Sequence, residues 1–317
     1  MGVVQWQRVV FLGTPEFAVP SLAALVEAGH NVVEVVTQPD RPKGRKQELA
    51  QSAVKQFAVR KGIPVFQPER ARRPEAVEHL RALQPDLMVV VGYGQLLPQS
   101  IIDIAPLGIL NVHASLLPKL RGAAPVQWAI VNGDSVTGVT IMQIDAGLDT
   151  GAVLLRAETQ IAPDENAAEL ASRLSPLGAT LLVETIMRLG EIVPEKQNAA
   201  GATLAPNLTK EHGRIDWTRS ALEIHNQVRG LIPWPGAYTT FRGQALHIWK
   251  ARVSQSESGQ LKERPGTLFS GKTARIACGD GTVLEALEVQ WEGRKRVSAS
   301  DFMNGLHLQE NEVLGAA

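Results

Sequence analysis

The stretch Gly108-Ile-Leu-Asn-Val-His-Ala-Ser-Leu-Leu-Pro118 carries the residue types from which acyl-group chemistry is built. Its first six residues predict a β-strand. Positions two apart on a strand face the same way, so Asn111 and His113 share one face and Leu110 and Val112 the other. An amide N–H donor beside an imidazole suits stabilisation of an oxyanion and proton traffic near neutral pH. The same spacing fits a capping Asn and a His satisfied by backbone, and spacing by itself gives that quieter reading the edge. Further on, Asp145-Ala-Gly-Leu-Asp-Thr-Gly151 sets two carboxylates between strands, with glycines that allow close backbone approach to a ligand. Either aspartate can equally be a turn-former. His113 with Asp149 lacks a recognisable metal-ligand spacing, so no metal is expected.

Other chemistries are excluded by what their motifs need. A dinucleotide site wants Gly-x-Gly-x-x-Gly after the first strand, where this chain has Gly13-Thr-Pro-Glu-Phe17 with Pro15 and Ala18 in the other two glycine positions. No Walker pattern and no Gly-x-Ser-x-Gly elbow occurs, which removes nucleotide hydrolysis and α/β-hydrolase chemistry.

The elements that must position these residues alternate in type. Apolar, β-branched runs predict strands at 8–13, 31–37, 64–66, 87–91, 108–113, 138–144 and 152–155. Helical periodicity falls at 15–28, 49–61, 74–83, 126–131 and 164–189, the last interrupted at Pro176. That alternation predicts an α/β fold with a doubly wound, mostly parallel sheet, and the C-terminal ends of its strands are where ligand sites form. Asn111 and His113 lie at such an end. The polar 38–49 segment is longer than an ordinary βα loop. Residues 190–208 read as a linker between a first domain, 1–189, and a second, 209–317. The second predicts a helix at 220–229, strands at 237–241, 245–253, 266–269, 274–277 and 282–291, and a helix at 300–306. That is the pattern of a small C-terminal β-barrel of the oligonucleotide-binding type.

Composition narrows the setting. The 317 residues balance 32 Lys+Arg against 32 Asp+Glu, so overall basicity does not drive nucleic-acid binding. Residues 41–81 nevertheless hold eleven Lys/Arg against four Asp/Glu, which fits a solvated surface or one facing a polyanion. The single cysteine, Cys278, excludes an intrachain disulfide and fits a reducing cytosol. No signal-peptide pattern or membrane-length apolar run is present, so a cytoplasmic protein is expected.

Over nearly its whole length the chain resembles the methionyl-tRNA formyltransferase family. The resemblance rests on Phe11-Leu-Gly-Thr-Pro-Glu-Phe-Ala-Val-Pro20, Thr37-Gln-Pro-Asp-Arg-Pro-Lys-Gly-Arg45, Asn111-Val-His-Ala-Ser-Leu-Leu-Pro118 and Arg121-Gly-Ala-Ala-Pro125. It continues through Gly138-Val-Thr-Ile-Met142, Gly147-Leu-Asp-Thr-Gly151, Gly213-Arg-Ile-Asp-Trp217 and Pro233-Trp-Pro-Gly-Ala237. The Asn-x-His and Leu-Asp-Thr-Gly elements are shared with the wider folate-dependent formyltransferases.

The resemblance implies a Rossmann-like formyltransferase domain with Asn111, His113 and Asp149 as catalytic residues. The formyl donor is 10-formyltetrahydrofolate as co-substrate, with no metal and no nucleotide. It places Ser115, Leu116, Leu117, Pro118, Gly92, Tyr93, Gln95 and Leu96 around the folate. It assigns Phe17, Arg41, Lys43, Arg45 and the cluster Arg294-Lys-Arg296, with Lys295 at its centre, to methionyl initiator tRNA. A monomer without membrane attachment is expected. The chain departs from the family after Arg45, where Lys46-Gln-Glu-Leu49 replaces a more basic, Pro-rich continuation. The alternatives are a folate-dependent formyltransferase acting on an amino sugar nucleotide and a non-catalytic tRNA-binding relative.

Overall fold

The computed structural model describes residues 8–43, 48–254, 262–306 and 312–315. In chain order the first part contains β1 (Val9–Gly13), α1 (Val19–Glu27), β2 (Val32–Val36), β3 (Arg41–Lys43), β4 (Glu48–Ala50), α2 (Ala53–Arg60), β5 (Val65–Phe66), α3 (Pro74–Ala82) and β6 (Leu87–Val91). It continues with α4 (Gln99–Ile102), β7 (Ile109–His113), β8 (Arg121–Gly122), α5 (Pro125–Val131), β9 (Val136–Gln143), β10 (Val153–Gln160), α6 (Ala167–Met187) and β11 (Leu204–Ala205). Seven strands form one sheet in the order β10-β9-β7-β6-β1-β2-β5. All pairs from β7 to β5 are parallel, and β9 runs antiparallel to both β7 and β10. Strands β1, β6 and β7 are buried along their full length, as continuous apolar runs in a two-sided sheet require. The connections reverse direction between β1 and β6, which opens a crevice at their C-terminal ends.

Several elements differ from the sequence expectation. The 38–49 segment is not all loop: β3 and β4 pair antiparallel, Arg41 opposite Ala50 and Lys43 opposite Glu48. The following helix therefore starts at Ala53 rather than Leu49, capped by Ser52, whose hydroxyl accepts from the Lys55 N–H at 3.1 Å. Helix α6 runs unbroken through Pro176. Buried Leu170, Leu174 and Leu182 hold it on both sides of the missing N–H, and Gly178 lets it approach the sheet closely. A Cβ at Gly178 would lie 2.8 Å from Val112 Cγ1.

After β11 come α7 (Ala221–Gly230), β12 (Ala237–Phe241), β13 (Gln244–Val253), β14 (Ala274–Ala277), β15 (Val283–Trp291), β16 (Val297–Ser298) and α8 (Ala299–Asn304). Strand β15 pairs antiparallel with β13 on one edge, and with β14 and β16 at different heights on the other. Strand β12 extends the sheet beyond β13, and the path from β12 to β14 is open among the described residues. Residues 266–269 form only isolated bridges, Thr267 to Val313 and Leu268 to Ile276. Ile224 and Val228 of α7 join Leu246, Ile248 and Leu284 of the sheet in one apolar cluster.

The chain separates into two compact units. The first comprises Met1–Pro125, Val136–Gln160 and Ala171–Pro206, and the second Val126–Ser135, Ile161–Leu170 and Asn207–Ala317. The second unit thus takes in two segments that the sequence reading places in the first domain. Buried Arg229 explains one, because its guanidinium donates to the Glu165 carbonyl at 2.9 Å and the Ala162 carbonyl at 3.3 Å. Gly230 explains the other, since a Cβ there would stand 2.7 Å from Val131 Cγ2. No helix among the described residues is long and apolar enough to cross a membrane.

Helix α7 opens with a capping box. Ser220 Oγ accepts from the Glu223 N–H at 3.3 Å, and the Glu223 carboxylate accepts from the Ser220 N–H at 3.0 Å. These bonds from Ser220, with Arg219 after them, pull the Glu223 carboxyl down to about 2. A depressed carboxyl stabilises the fold above its unfolded value of 4.5, and that contribution is lost as pH falls through about 2. Ser220→Ala is expected to cost about 1 kcal/mol at neutral pH, measured by thermal unfolding. Glu223→Ala should destabilise at neutral pH, and its difference from the native chain should shrink steadily below pH 4.5.

Candidate active site

Strand β7 ends at the sheet's C-terminal edge between β6 and β9, with Asn111 opposite Val90 on one side and Met142 on the other. Asn111 is 8% exposed, and its side-chain amide has no hydrogen-bond partner among the described residues. Its amide atoms are not among the fully buried side-chain atoms that lack a partner, so they reach solvent at the strand end, where a ligand can meet them. This excludes the capping reading for Asn111.

His113, on the same face and buried, has a definite tautomer. Its Nε2 lies 3.0 Å from the Leu120 carbonyl oxygen, which can only accept, so Nε2 carries a proton. Nδ1 is therefore a lone pair in the neutral ring and a donor only in the imidazolium. Leu120 is held in the left-handed region at φ 58° and donates its N–H to Thr203 Oγ1 at 2.8 Å. For a leucine that conformation costs on the order of 1–3 kcal/mol, and here it aims a carbonyl at the imidazole.

Nδ1 faces Asp149 Oδ2 at 3.7 Å, an ion-pair distance for the protonated ring rather than a hydrogen bond. The Asp149 side chain is 16% exposed, and its Oδ2 accepts from the Gly122 N–H at 2.8 Å. Asp149 has φ 51°, in the left-handed region that Asp tolerates better than most residues. Its neighbour Asp145 is a turn-former, accepting from the Gly147 N–H at 3.0 Å and the Thr150 hydroxyl at 2.6 Å. Gly151 must be glycine, since a Cβ would sit 1.8 Å from the Gln143 carbonyl.

The group that fixes this loop is Gln197, which the sequence reading left inside the linker. It is buried, and its Nε2 donates to the Asp149 carbonyl at 2.9 Å and the Gly151 carbonyl at 2.8 Å. Its Oε1 accepts from Arg121 Nε at 3.1 Å and Nη2 at 2.8 Å. Strands β8 and β11 pair beside it, Leu204 with Arg121 and Ala205 with Gly122. The 190–208 stretch therefore carries structural partners of the Asp149 loop. An isolated glutamine in a polar, Ala-rich segment gives no sequence signal of that role.

The remaining expected residues fall in different places. Ser115 is fully buried and donates to the Lys119 carbonyl at 2.7 Å. Thr140 Oγ1 bridges the turn, donating to the Ser115 carbonyl at 2.7 Å and accepting from the Leu117 N–H at 3.1 Å. Leu117 packs on Met142 and Val153, while Leu116 and Pro118 are half-buried. Gly92, Tyr93, Gln95 and Leu96 line a cleft of about 660 Å³ together with Thr14, Pro15, Gln38, Glu69, Arg70, Arg72 and Gly94. Ser115 to Pro118 do not line it. The Tyr93 ring lies in the apolar core, where burial pushes its phenol up to about 12, while its carbonyl accepts from Thr14 Oγ1 and Gln38 Nε2. Leu96 is 83% exposed at the rim.

Phe17 is half-buried at the turn after β1, and its carbonyl accepts from Ser175 Oγ. Arg41 is exposed on the β3–β4 hairpin and paired with Glu69 at 2.8 Å, Lys43 lies on β3, and Arg45 lies outside the described residues. Arg294, Lys295 and Arg296 are exposed between β15 and β16. The Arg296 guanidinium stands 4.3 Å from the Trp249 ring centroid and 3.5 Å from Glu288. Among the described residues no group of three or more His, Cys, Asp or Glu is placed to hold a metal ion.

An open amide, an imidazole of fixed tautomer and a carboxylate gather at the C-terminal end of β7, one strand from the switch crevice, a set suited to an acyl-transfer enzyme such as a formyltransferase. The formyl transferase family model matches residues 7–186, and the formyl transferase C-terminal domain matches 207–307. The methionyl-tRNA formyltransferase of Solibacter usitatus (strain Ellin6076) is 61% identical over 310 residues, 97% of this chain and 98% of that one. That of Koribacter versatilis (strain Ellin345) is 53% identical over 311 residues, 96% of this chain and 98% of that one. The chain belongs to the methionyl-tRNA formyltransferase family. The fold is also that of WlaRD, a sugar 3N-formyl transferase solved in the presence of dTDP and 5-N-formyl-THF. There the TM-score is 0.69 at 19% identity, covering 92% of this chain and 100% of that one.

Removing the two amide donors of Gln197 while keeping its bulk, as in Gln197→Leu, should release the Asp149 loop. We expect a fall in kcat of about 100-fold, the scale of an ångström-level misplacement, with KM for both substrates changed less than about three-fold. Steady-state kinetics on a variant with a native circular dichroism spectrum check it.

Proposed function

We propose that the chain transfers the formyl group of 10-formyltetrahydrofolate to the α-amino group of methionyl initiator tRNA, and that Asn111, His113 and Asp149 carry the reaction. The observation behind this assignment is the open Asn111 amide on the same strand face as His113, whose Nδ1 lies 3.7 Å from Asp149.

The chemistry follows from those groups. The neutral amine attacks the formyl carbon, the C=O π pair moves onto oxygen, and a tetrahedral intermediate forms. The Asn111 N–H groups donate to the oxygen anion, a stabilisation worth about 3–4 kcal/mol for one such donor. His113 adds a second donor only when Nδ1 is protonated, because Nε2–H is spent on Leu120. Asp149 faces that cation and accepts the proton that the attacking nitrogen sheds, directly or through a water. Collapse breaks the bond from carbon to N10, and N10 takes up a proton as it leaves. Proton gain and loss balance, so the products are formylmethionyl-tRNA and tetrahydrofolate.

Both substrates must converge at the ends of β6 and β7. The Gly92–Leu96 loop and the Ser115–Pro118 turn are proposed as the folate walls, with Phe17 against the methionine side chain. Arg41 and Lys43 of β3, together with Arg45 and the cluster Arg294–Arg296, are proposed to meet the tRNA. A cytoplasmic monomer fits this role.

Transfer should be rapid to methionyl initiator tRNA and slow to methionyl elongator tRNA in a formylation assay. Equal rates, or transfer to an amino sugar nucleotide instead, would refute the acceptor assignment. Asn111→Ala, His113→Asn and Asp149→Ala should each lower kcat by 100-fold or more, on the order expected for an oxyanion donor or general base. Turnover within a few-fold of native would remove the assignment. Neutralising Arg294, Lys295 and Arg296 should weaken tRNA binding and flatten the log K against log[salt] plot by about one unit for each phosphate no longer neutralised.

A further inference from the structure

The cleft at the β1–β6 crevice carries two cations that the catalytic mechanism does not use. Arg70 and Arg72 both line it and both are exposed. Among the described residues neither is paired with a carboxylate. The contrast is with Arg41 and Lys55 nearby, which are paired with Glu69 at 2.8 Å and Asp40 at 2.6 Å.

The segment that bears them is fixed in place. Ala71, between them, is buried in the core, and its N–H donates to Gln95 Oε1 at 2.7 Å. Gln95 Nε2 reaches Gln38 Oε1 at 3.3 Å and the carbonyls of Pro68 and Glu69 at 3.4 Å. Gln95 thus clips the 68–71 turn to the loop after β6, which presents Arg70 and Arg72 at the cleft. The Arg41–Glu69 ion pair ties the β3–β4 hairpin to the same turn. A second network below it joins Lys55, Asp40 and Gln67, and Gln67 Nε2 donates to the Gln38 carbonyl at 2.9 Å.

We infer that Arg70 and Arg72 bind the terminal phosphodiesters of the acceptor RNA strand, within the cleft that leads from the hairpin to the catalytic strand. This rests on the proposed function. Three observations favour a ribose-phosphate strand. The volume suits a nucleotide-sized ligand. Besides the Gly92–Leu96 loop, already proposed for the folate, the lining offers the polar side chains of Thr14 and Gln38. In sheet order the cleft lies over β2, β1 and β6, between the hairpin that follows β2 and Asn111 on β7. A strand entering by the hairpin crosses it to reach the reacting centre. The other anion in the reaction is the glutamate tail of the folate, which the test must separate.

The test uses the full-length double variant Arg70→Gln/Arg72→Gln, with Arg73→Gln as control, since Arg73 is exposed on the same segment but does not line the cleft. KM is measured for methionyl initiator tRNA at several salt concentrations. It is also measured for 10-formyltetrahydrofolate with one and with five γ-linked glutamates. The expected result is a rise in KM for the tRNA of about ten-fold, a flatter salt dependence, unchanged kcat and unchanged KM for both folates, with the control like native. A tRNA KM that does not move, in an active native enzyme, overturns the site alone. A rise confined to the pentaglutamyl folate overturns it in favour of the folate tail. A native chain that formylates no methionyl-tRNA overturns the functional reading and this site with it.

Discussion

The site depends on one side-chain amide. Gln197 shares its two N–H groups between the carbonyls of Asp149 and Gly151 and gives its oxygen to Arg121. Without those bonds the buried Gly151 carbonyl would lack a donor, at a cost of about 1–3 kcal/mol, and the part-buried Asp149 carbonyl would lose its own. The loop between β9 and β10 would then have no reason to keep Asp149 in a left-handed conformation. Because Arg121 precedes Gly122, whose N–H holds the Asp149 carboxylate, one glutamine fixes both the backbone and, through its neighbour, the side chain of the same residue.

The opposite wall is set in a related way. Leu120 is strained so that its carbonyl accepts a hydrogen bond from the Nε2–H of His113, and Thr203 holds it there. The imidazole is thereby turned so that Nδ1, not Nε2, faces the carboxylate. Both devices draw on the same stretch, Gln197 to Ala205, whose β11 pairs with β8 just after the Ser115–Pro118 turn. The consequence is a candidate site whose ring orientation and carboxylate position are built into the fold. The Asn111 amide and His113 Nδ1 are left without a hydrogen bond among the described residues, both on the same strand face.

The periphery follows a different rule. The hairpin of Arg41, the turn of Arg70 and Arg72, and the Arg294–Arg296 cluster are exposed, and their ion pairs are solvent-screened surface contacts of small energetic weight. Charges placed this way add little to stability and keep their cationic groups open to solvent. The apolar core of the β unit supplies the stability instead, with Trp217 anchored to Thr239 at 3.0 Å and α7 laid across the sheet.

Much of this was legible from sequence. The continuous apolar runs of β1, β6 and β7 specify a two-sided parallel sheet, because side-chain period and burial are local properties of a strand. The Asn111-x-His113 spacing specifies a shared face for the same reason, and its position at a strand end specifies the crevice. Local spacing could not say whether Asn111 would be satisfied, which ring nitrogen of His113 would carry the proton, or that Asp145 makes a turn while Asp149 faces the imidazole. Those outcomes depend on Leu120, Gly122 and Gln197, groups brought together only when β8 and β11 pair. Pro176 and the 38–49 hairpin show the same limit, since packing on both sides of a helix and pairing across a loop override local propensity. Sequence determined the elements and the chemical types. Tertiary structure decided the proton positions and the loop geometry, because both are set by hydrogen-bond partners distant in the chain.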